Sequence, residues 1–462
     1  MAILGAFAVP HPPLIVPEIG RGEERKIQAT IDAYREAMRR AAALQPETVV
    51  VTSPHATMYA DYFHVSPGDG AEGDFGGFRA PEVKFSVTYD TAFVKALSSE
   101  CQKAGVPGGT IAPREPRLDH GTMVPLYFLR QFTSDFKLVR IGLSGLSPLT
   151  HYRFGQCIAQ AANLLGRRVV YIASGDLSHK LLAEGPYGFA KEGPVFDAEC
   201  MAALGAGDFL RLLSIDSALS EGAAECGLRS FWIMAGALDR REVRAERLSY
   251  EGPFGVGYGV AAFAAGGRDN DRNFDDRFAA AQREKMAARK AAEDPYVRWA
   301  RRSLESFVRS GARQPVPEDA PPELLTQKSG AFVSLKKDGQ LRGCIGTFLP
   351  VTANLAQEIW RNAVSAAAED PRFSPVREDE LGDLVYSVDV LTEPEPAASE
   401  AELDAKRYGV IVAAADGRRG LLLPDLAGVN DVTEQVAIAR KKGGIGPNEP
   451  VQLYRFEVVR HH

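Results

Sequence analysis

Three short apolar runs set the pattern of the first half of the chain. Ile3–Val9, Thr48–Ser53 and residues 169–173 carry no charged side chain, and the latter two are rich in β-branched residues. Such runs predict buried strands. Each stops abruptly, the first at Pro10-His11 and the second at Pro54-His55. The third stops at Ser174-Gly175-Asp176 and then presents Ser178 and His179. Between the runs the apolar period lengthens. Ile27, Ile31, Tyr34 and Met38 share one face of a helix over residues 23–44. Helices are likewise predicted over residues 91–104, 152–165, 194–213 and 223–238. Further strands are predicted over residues 84–88 and 137–143, and a glycine-rich one over 253–265. Residues 67–81, rich in Gly, Asp and Glu, read as an exposed loop, and residues 105–116 as another. Strands alternating with helices make residues 1–265 an α/β domain, a mixed sheet flanked by helices.

The pattern changes at residue 266. Charged residues and alanines dominate 266–293, which reads as a solvated, largely helical linker. A second unit occupies 294–462. It opens with an amphipathic helix over 295–308 and has a long helix over 351–368 and a third at Val432–Lys442. Strands are predicted at residues 331–336, Leu384–Leu391, 408–413 and 420–423, with LRGCIGTF at 341–348 after a turn at Gly339-Gln340. This mixture is an α+β fold.

Composition narrows the function. The chain has 462 residues, which argues for more than one domain. A net charge of −6 gives no signature of nucleic-acid binding. No apolar segment approaches the ~20 residues of a membrane span, and the N-terminus lacks the basic start of a signal peptide. Five cysteines with no CxxC pair fit reduced thiols in a cytoplasm. Six of the eight histidines lie between His11 and His179, so imidazole chemistry belongs to the first domain.

Three strand ends that each carry a histidine sit where open α/β sheets build their sites. His11 and His55, on proline-stiffened loops, suit an Fe(II), Zn or Mn site. A third ligand is needed. Glu225 would complete two histidines and one carboxylate, the facial set of oxygen-activating iron, and the adjacent Cys226 is the alternative. His179 and His120 would then stand beside the metal, since an imidazole can take a proton from a substrate hydroxyl and return it. Asp119 or Asp176 would orient an imidazole through its N–H or help position the loop. His64 and His151 fall outside the pattern and read as structural, and His461-His462 are assigned no role.

VPHPP, SPHA, LDHG, GDLSH and ECG, in this order over residues 1–265, resemble the class III extradiol dioxygenases of the LigB-like group, to which the Memo family is related. The resemblance implies His11, His55 and Glu225 as Fe(II) ligands, His179 as catalytic acid/base and His120 lining the pocket. The substrate would be a small catechol- or aminophenol-type aromatic opened with O2. Memo-like relatives place a cysteine in the third-ligand region, where Cys226 stands. They imply the alternative, a metal-binding module without ring cleavage. LRGCIGT, EDPRFSPV, YGV, GLLLPDL and KKGGI resemble the AMMECR1 domain over residues 294–459. Its signature surrounds Cys344, which reads as a small residue at a glycine-rich turn or as a nucleophile. Modules of these two kinds resemble components of a bacterial system with a radical S-adenosylmethionine protein, which would be a separate partner. Homo-oligomerisation is compatible with all of this.

Overall fold

The computed structural model describes residues 2–111, 117–337, 339–426 and 428–462. The end of the loop expected over 105–116 therefore lies outside the described residues. The chain forms two compact units, Met1–Gln282 and Arg283–His462.

The first unit is built on a six-stranded sheet. Its order is Lys137–Gly142, Thr48–Ser53, Val169–Ser174, Ile3–Val9, Tyr258–Arg268 and Arg241–Glu251. The first four strands are mutually parallel, and the last two join antiparallel. Alternate residues of the central strands enter two separate cores. Ala6, Ala8, Val50, Tyr171 and Ala173 pack against the helices Pro148–Leu165 and Leu228–Ala237 on one face. Phe7, Val9, Val49, Val51, Val170 and Ile172 pack against Gln28–Ala43 and His120–Leu129 on the other. Burial on both faces is why these strands read as unbroken apolar runs.

Strand register fixes the site. Val169–Ser174 lies between the other two histidine-bearing strands, with Val9 opposite Ser174 and Thr52 opposite Ala173. Parallel strands in this register bring three carboxyl ends to one edge. His11 and His55, each two residues past its strand, are thereby set on either side of Ser174-Gly175-Asp176.

Two sequence expectations are corrected in this unit, and one strand is added to those expected. Within the stretch expected to be a loop, Gly70–Phe75 pairs with Ala80–Thr88 as an antiparallel hairpin. Arg241–Glu251, which carries no apolar run, is an edge strand with every residue at least partly exposed. The segment 266–293 is not simply a spacer. The last strand runs on to Arg268, and Phe274 and Phe278 of the helix Phe274–Ala292 are buried in the first unit's core.

The second unit holds two four-stranded antiparallel sheets. Pro295–Ser310 and Leu355–Ala368 pack on the first, and Val432–Lys442 on the second. The signature around Cys344 is a strand, Gln340–Gly346, rather than a turn. Gly343 is required there because a Cβ would lie 2.1 Å from the Ala366 carbonyl oxygen. The cysteine strand thus runs directly against the long helix. His461 also has a structural place. It belongs to the strand Val458–His461, stacks on Tyr296 and bonds Asp294 through Nδ1 at 2.5 Å.

Candidate metal centre

At the shared strand edge the His11 and His55 Nε2 atoms face each other at 3.0 Å. Two imidazole nitrogens that close, with no proton donor between them in their neutral metal-binding forms, are placed like two ligands of one ion. The protonation of His11 follows from its neighbours. Ser174 Oγ donates to the Gly121 carbonyl at 2.6 Å, so at 2.9 Å it accepts from His11 Nδ1. The ring proton is therefore on Nδ1, and the Nε2 lone pair is free. Burial, then the nearby His55, lowers the His11 pKa to about 3, which keeps the ring neutral. Burial also lowers that of His55, although Asp119 and Asp176 oppose the shift.

The third donor is Cys226. Its Sγ lies 3.7 Å from His11 Nε2, and His11, His55 and Cys226 offer donor atoms all within 4.8 Å of one another. Asp176 holds the cysteine in place. The Asp176 N–H donates to Sγ at 3.3 Å, and the Cys226 N–H donates to the Asp176 carbonyl at 3.3 Å. These contacts require the two loops to touch. A Cβ on Gly175 would fall 2.1 Å from Gly227 Cα, so only glycine allows the approach.

Glu225, expected as the third ligand, belongs to no donor group among the described residues. Its carboxylate accepts the Leu228 backbone N–H at 2.6 Å and so caps the helix Leu228–Ala237. The partner that a half-buried carboxylate needs is thus a helix N-terminus. Burial raises its pKa to about 7, against the pull of that N–H.

His120 and His179 flank the donors. The His120 ring is 3.9 Å from that of His55 and 5.4 Å from Phe78. Burial, then His55 and His11, brings its pKa down to about 3. His179 lies against Tyr187, with ring centres 5.1 Å apart, and its donor nitrogen groups with Asp176 and Cys226. Phe78 and Tyr187 are both exposed. The imidazoles thus stand between the donors and two accessible aromatic rings. Asp119 caps His120–Leu129 by accepting from Thr122 N at 2.9 Å and also takes the Ser53 hydroxyl. It orients a helix rather than an imidazole. Asp176 takes the His11 backbone N–H at 2.8 Å, and burial pushes its carboxyl up to about 6. His64 and His151 are buried away from the cluster. His151 Nδ1 bonds the Ser147 carbonyl at 3.0 Å, and its ring packs on Phe63 and Trp232.

The donors fit a divalent ion chemically. Two neutral imidazoles and a cysteine are a borderline-soft set. The Cys226 thiol is held well above its usual pKa by burial and by Asp176 and Glu225. A cation is what would let that sulfur ionise. Sequence reasoning missed Ser174, whose only signal was its position as the last residue of the middle strand.

In the second unit, Cys344 is half-buried. Ser334 Oγ donates to its Sγ at 3.1 Å, and its N–H donates to Asp370 at 2.9 Å. Arg372 bonds the same Asp370 and the Cys344 carbonyl.

Comparison with known proteins agrees with this division. Residues 5–261 match the model of the catalytic LigB subunit of aromatic ring-opening dioxygenase, and residues 297–461 match AMMECR1. A protein of Clostridium acetobutylicum is 41% identical over 471 residues, covering 100% of this chain and 99% of its own. One of Thermotoga maritima is 53% identical over 171 residues, 37% of this chain and 98% of its own. Among solved structures, a Pyrococcus horikoshii protein is 34% identical, covering 36% of this chain and 88% of its own, with a TM-score of 0.33. The match over residues 5–261 and the full-length relative make this chain a member of the LigB family with an AMMECR1 domain following.

Proposed function

We propose that the first unit is a metal-dependent, ring-opening oxidoreductase of the extradiol type, using His11, His55 and Cys226 as ligands. Its substrate is a small catechol- or aminophenol-type aromatic. The convergence of two Nε2 atoms and one Sγ at the carboxyl edge of the sheet carries this reading. When bound, a divalent ion, Fe(II) foremost, supplies Lewis acidity and open positions for a chelating aromatic and O2. The protein's part is orientation and proton transfer. Ser174 fixes the His11 ring. Phe78 and Tyr187 offer ring faces to a planar substrate beside His120 and His179. His179 takes the hydroxyl proton of the entering aromatic and returns it to the opened product. The exposure of its neighbour Tyr187 supports putting this exchange at the mouth of the site.

Cys226 in place of a carboxylate favours a second reading, a Memo-like metal-binding module that does not open rings. It would work in a modification pathway with a separate radical S-adenosylmethionine protein. One experiment separates the two. Anaerobically prepared protein is analysed for metal and then offered catechol, protocatechuate and 2-aminophenol with O2. Oxygen uptake coupled to ring opening supports the first reading. Bound iron with no uptake on any of them rejects it in favour of the second. The five free thiols agree with a reducing, cytoplasmic setting for either.

A further inference from the structure

We propose that the same mouth holds a second divalent cation on Asp176, His179 and Cys226, with the Cys226 sulfur shared between two ions. This rests on His11, His55 and Cys226 being the first ligand set. Asp176, His179 and Cys226 each present one donor atom, and the three atoms lie within 4.8 Å of one another, the limit that the first set meets. A carboxylate, an imidazole and a thiolate make a donor set for zinc or a similar divalent ion.

Two observations beyond proximity point to a cation. Asp176 is only 6% exposed, and its sole ion-pair partner within 4.0 Å among the described residues is His11, at 3.9 Å. One carboxylate oxygen already takes the His11 N–H. The other lacks the fixed cation that a buried carboxylate ordinarily has. The second observation is the way the sulfur is held. The Asp176 N–H reaches Sγ from the backbone, and the paired Cys226 N–H locks the two loops together. Carboxylate and sulfur therefore come as one preassembled pair, between the His11–His55 pair on one side and His179 on the other. Bonds of about 2.3 Å from one sulfur to each ion match the roughly 3.5–4 Å separation of two-metal sites.

The consequence concerns His179. As a ligand of the second ion it no longer carries protons, so the second equivalent of metal suppresses whatever turnover the first supports. The second position is also the weaker, because Asp176 divides its charge between the ion and the His11 backbone.

The test uses full-length, metal-free protein titrated anaerobically with Co(II) alone. Bound cobalt is measured by equilibrium dialysis, the thiolate-to-cobalt absorption is followed, and magnetic resonance reports coupling between ions. The expected result is two equivalents per chain, coupled through the sulfur. His55→Ala and His179→Asn each lower this to one while the thiolate absorption persists, and Cys226→Ser removes that absorption. Circular dichroism first checks folding, with His179→Gln as the second variant. One equivalent in the parent chain overturns the second site, as does a folded His179 variant that still binds two. If that single equivalent is lost in His55→Ala but kept in His179→Asn, the first ligand set stands without the second. Absence of bound cobalt defeats both.

Discussion

Ser174 decides which nitrogen of His11 is available. Its hydroxyl is committed to the Gly121 carbonyl and therefore accepts from Nδ1, leaving Nε2 to face His55. Ser174→Ala removes the acceptor and leaves the ring without its orienting contact. The expected outcome is a fold that melts close to the parent, with metal affinity lowered about 10–100-fold by competition with a chelator. Glu225 and Cys226 are neighbours with different tasks. Glu225→Ala should keep the metal but lose about 1 kcal/mol in urea unfolding, because it uncaps Leu228–Ala237. The sequence placed both candidates at the same spot, and its reading put Glu225 ahead of Cys226. Which one faces the histidines depends on the Gly175–Gly227 contact, formed between segments far apart in the chain. His11 and His55 were legible because each follows an apolar run that stops at a proline.

At the scale of elements, the parallel register of three strands is the functional device. It is set by residues buried on both faces, so the strands announce themselves as apolar runs. Edge elements lack that signal. Arg241–Glu251 alternates charged and half-buried positions and pairs on only one side, so nothing in its composition marks it as part of the sheet. Gly70–Phe75 was masked by its Gly, Asp and Glu content. The charged helix Phe274–Ala292 hides two anchors among its alanines. Phe274→Ala should destabilise the first unit by about 3 kcal/mol, read by chemical denaturation, because it empties a site in the main core. A linker phenylalanine would cost nothing measurable.

At the scale of the whole molecule, the two units differ in where their charged groups are spent. The first gathers neutral imidazoles and the buried Asp176 carboxylate at one sheet edge. The second ties its signature strand down with paired charge, since Arg342 grips Glu380 at 2.9 Å and bonds the Ser374 carbonyl. That pairing, chiefly the Arg342 hydrogen bond, holds the Glu380 carboxyl down at about 2 against an ordinary 4.5. A depressed folded-state pKa adds stability above the unfolded value and loses it as pH falls from 4.5 through 2. Glu380→Gln should therefore be less stable than the parent by about 1–3 kcal/mol at pH 7, with the gap closing toward pH 2 in parallel melts. The central claim remains the ligand set at the sheet edge. X-ray absorption at the metal edge of protein loaded with one equivalent of Zn(II) tests it most directly. One sulfur at about 2.3 Å and imidazole nitrogens at about 2.0–2.1 Å are expected, with the sulfur gone in Cys226→Ser. A shell of nitrogen and oxygen alone in the parent protein would contradict it.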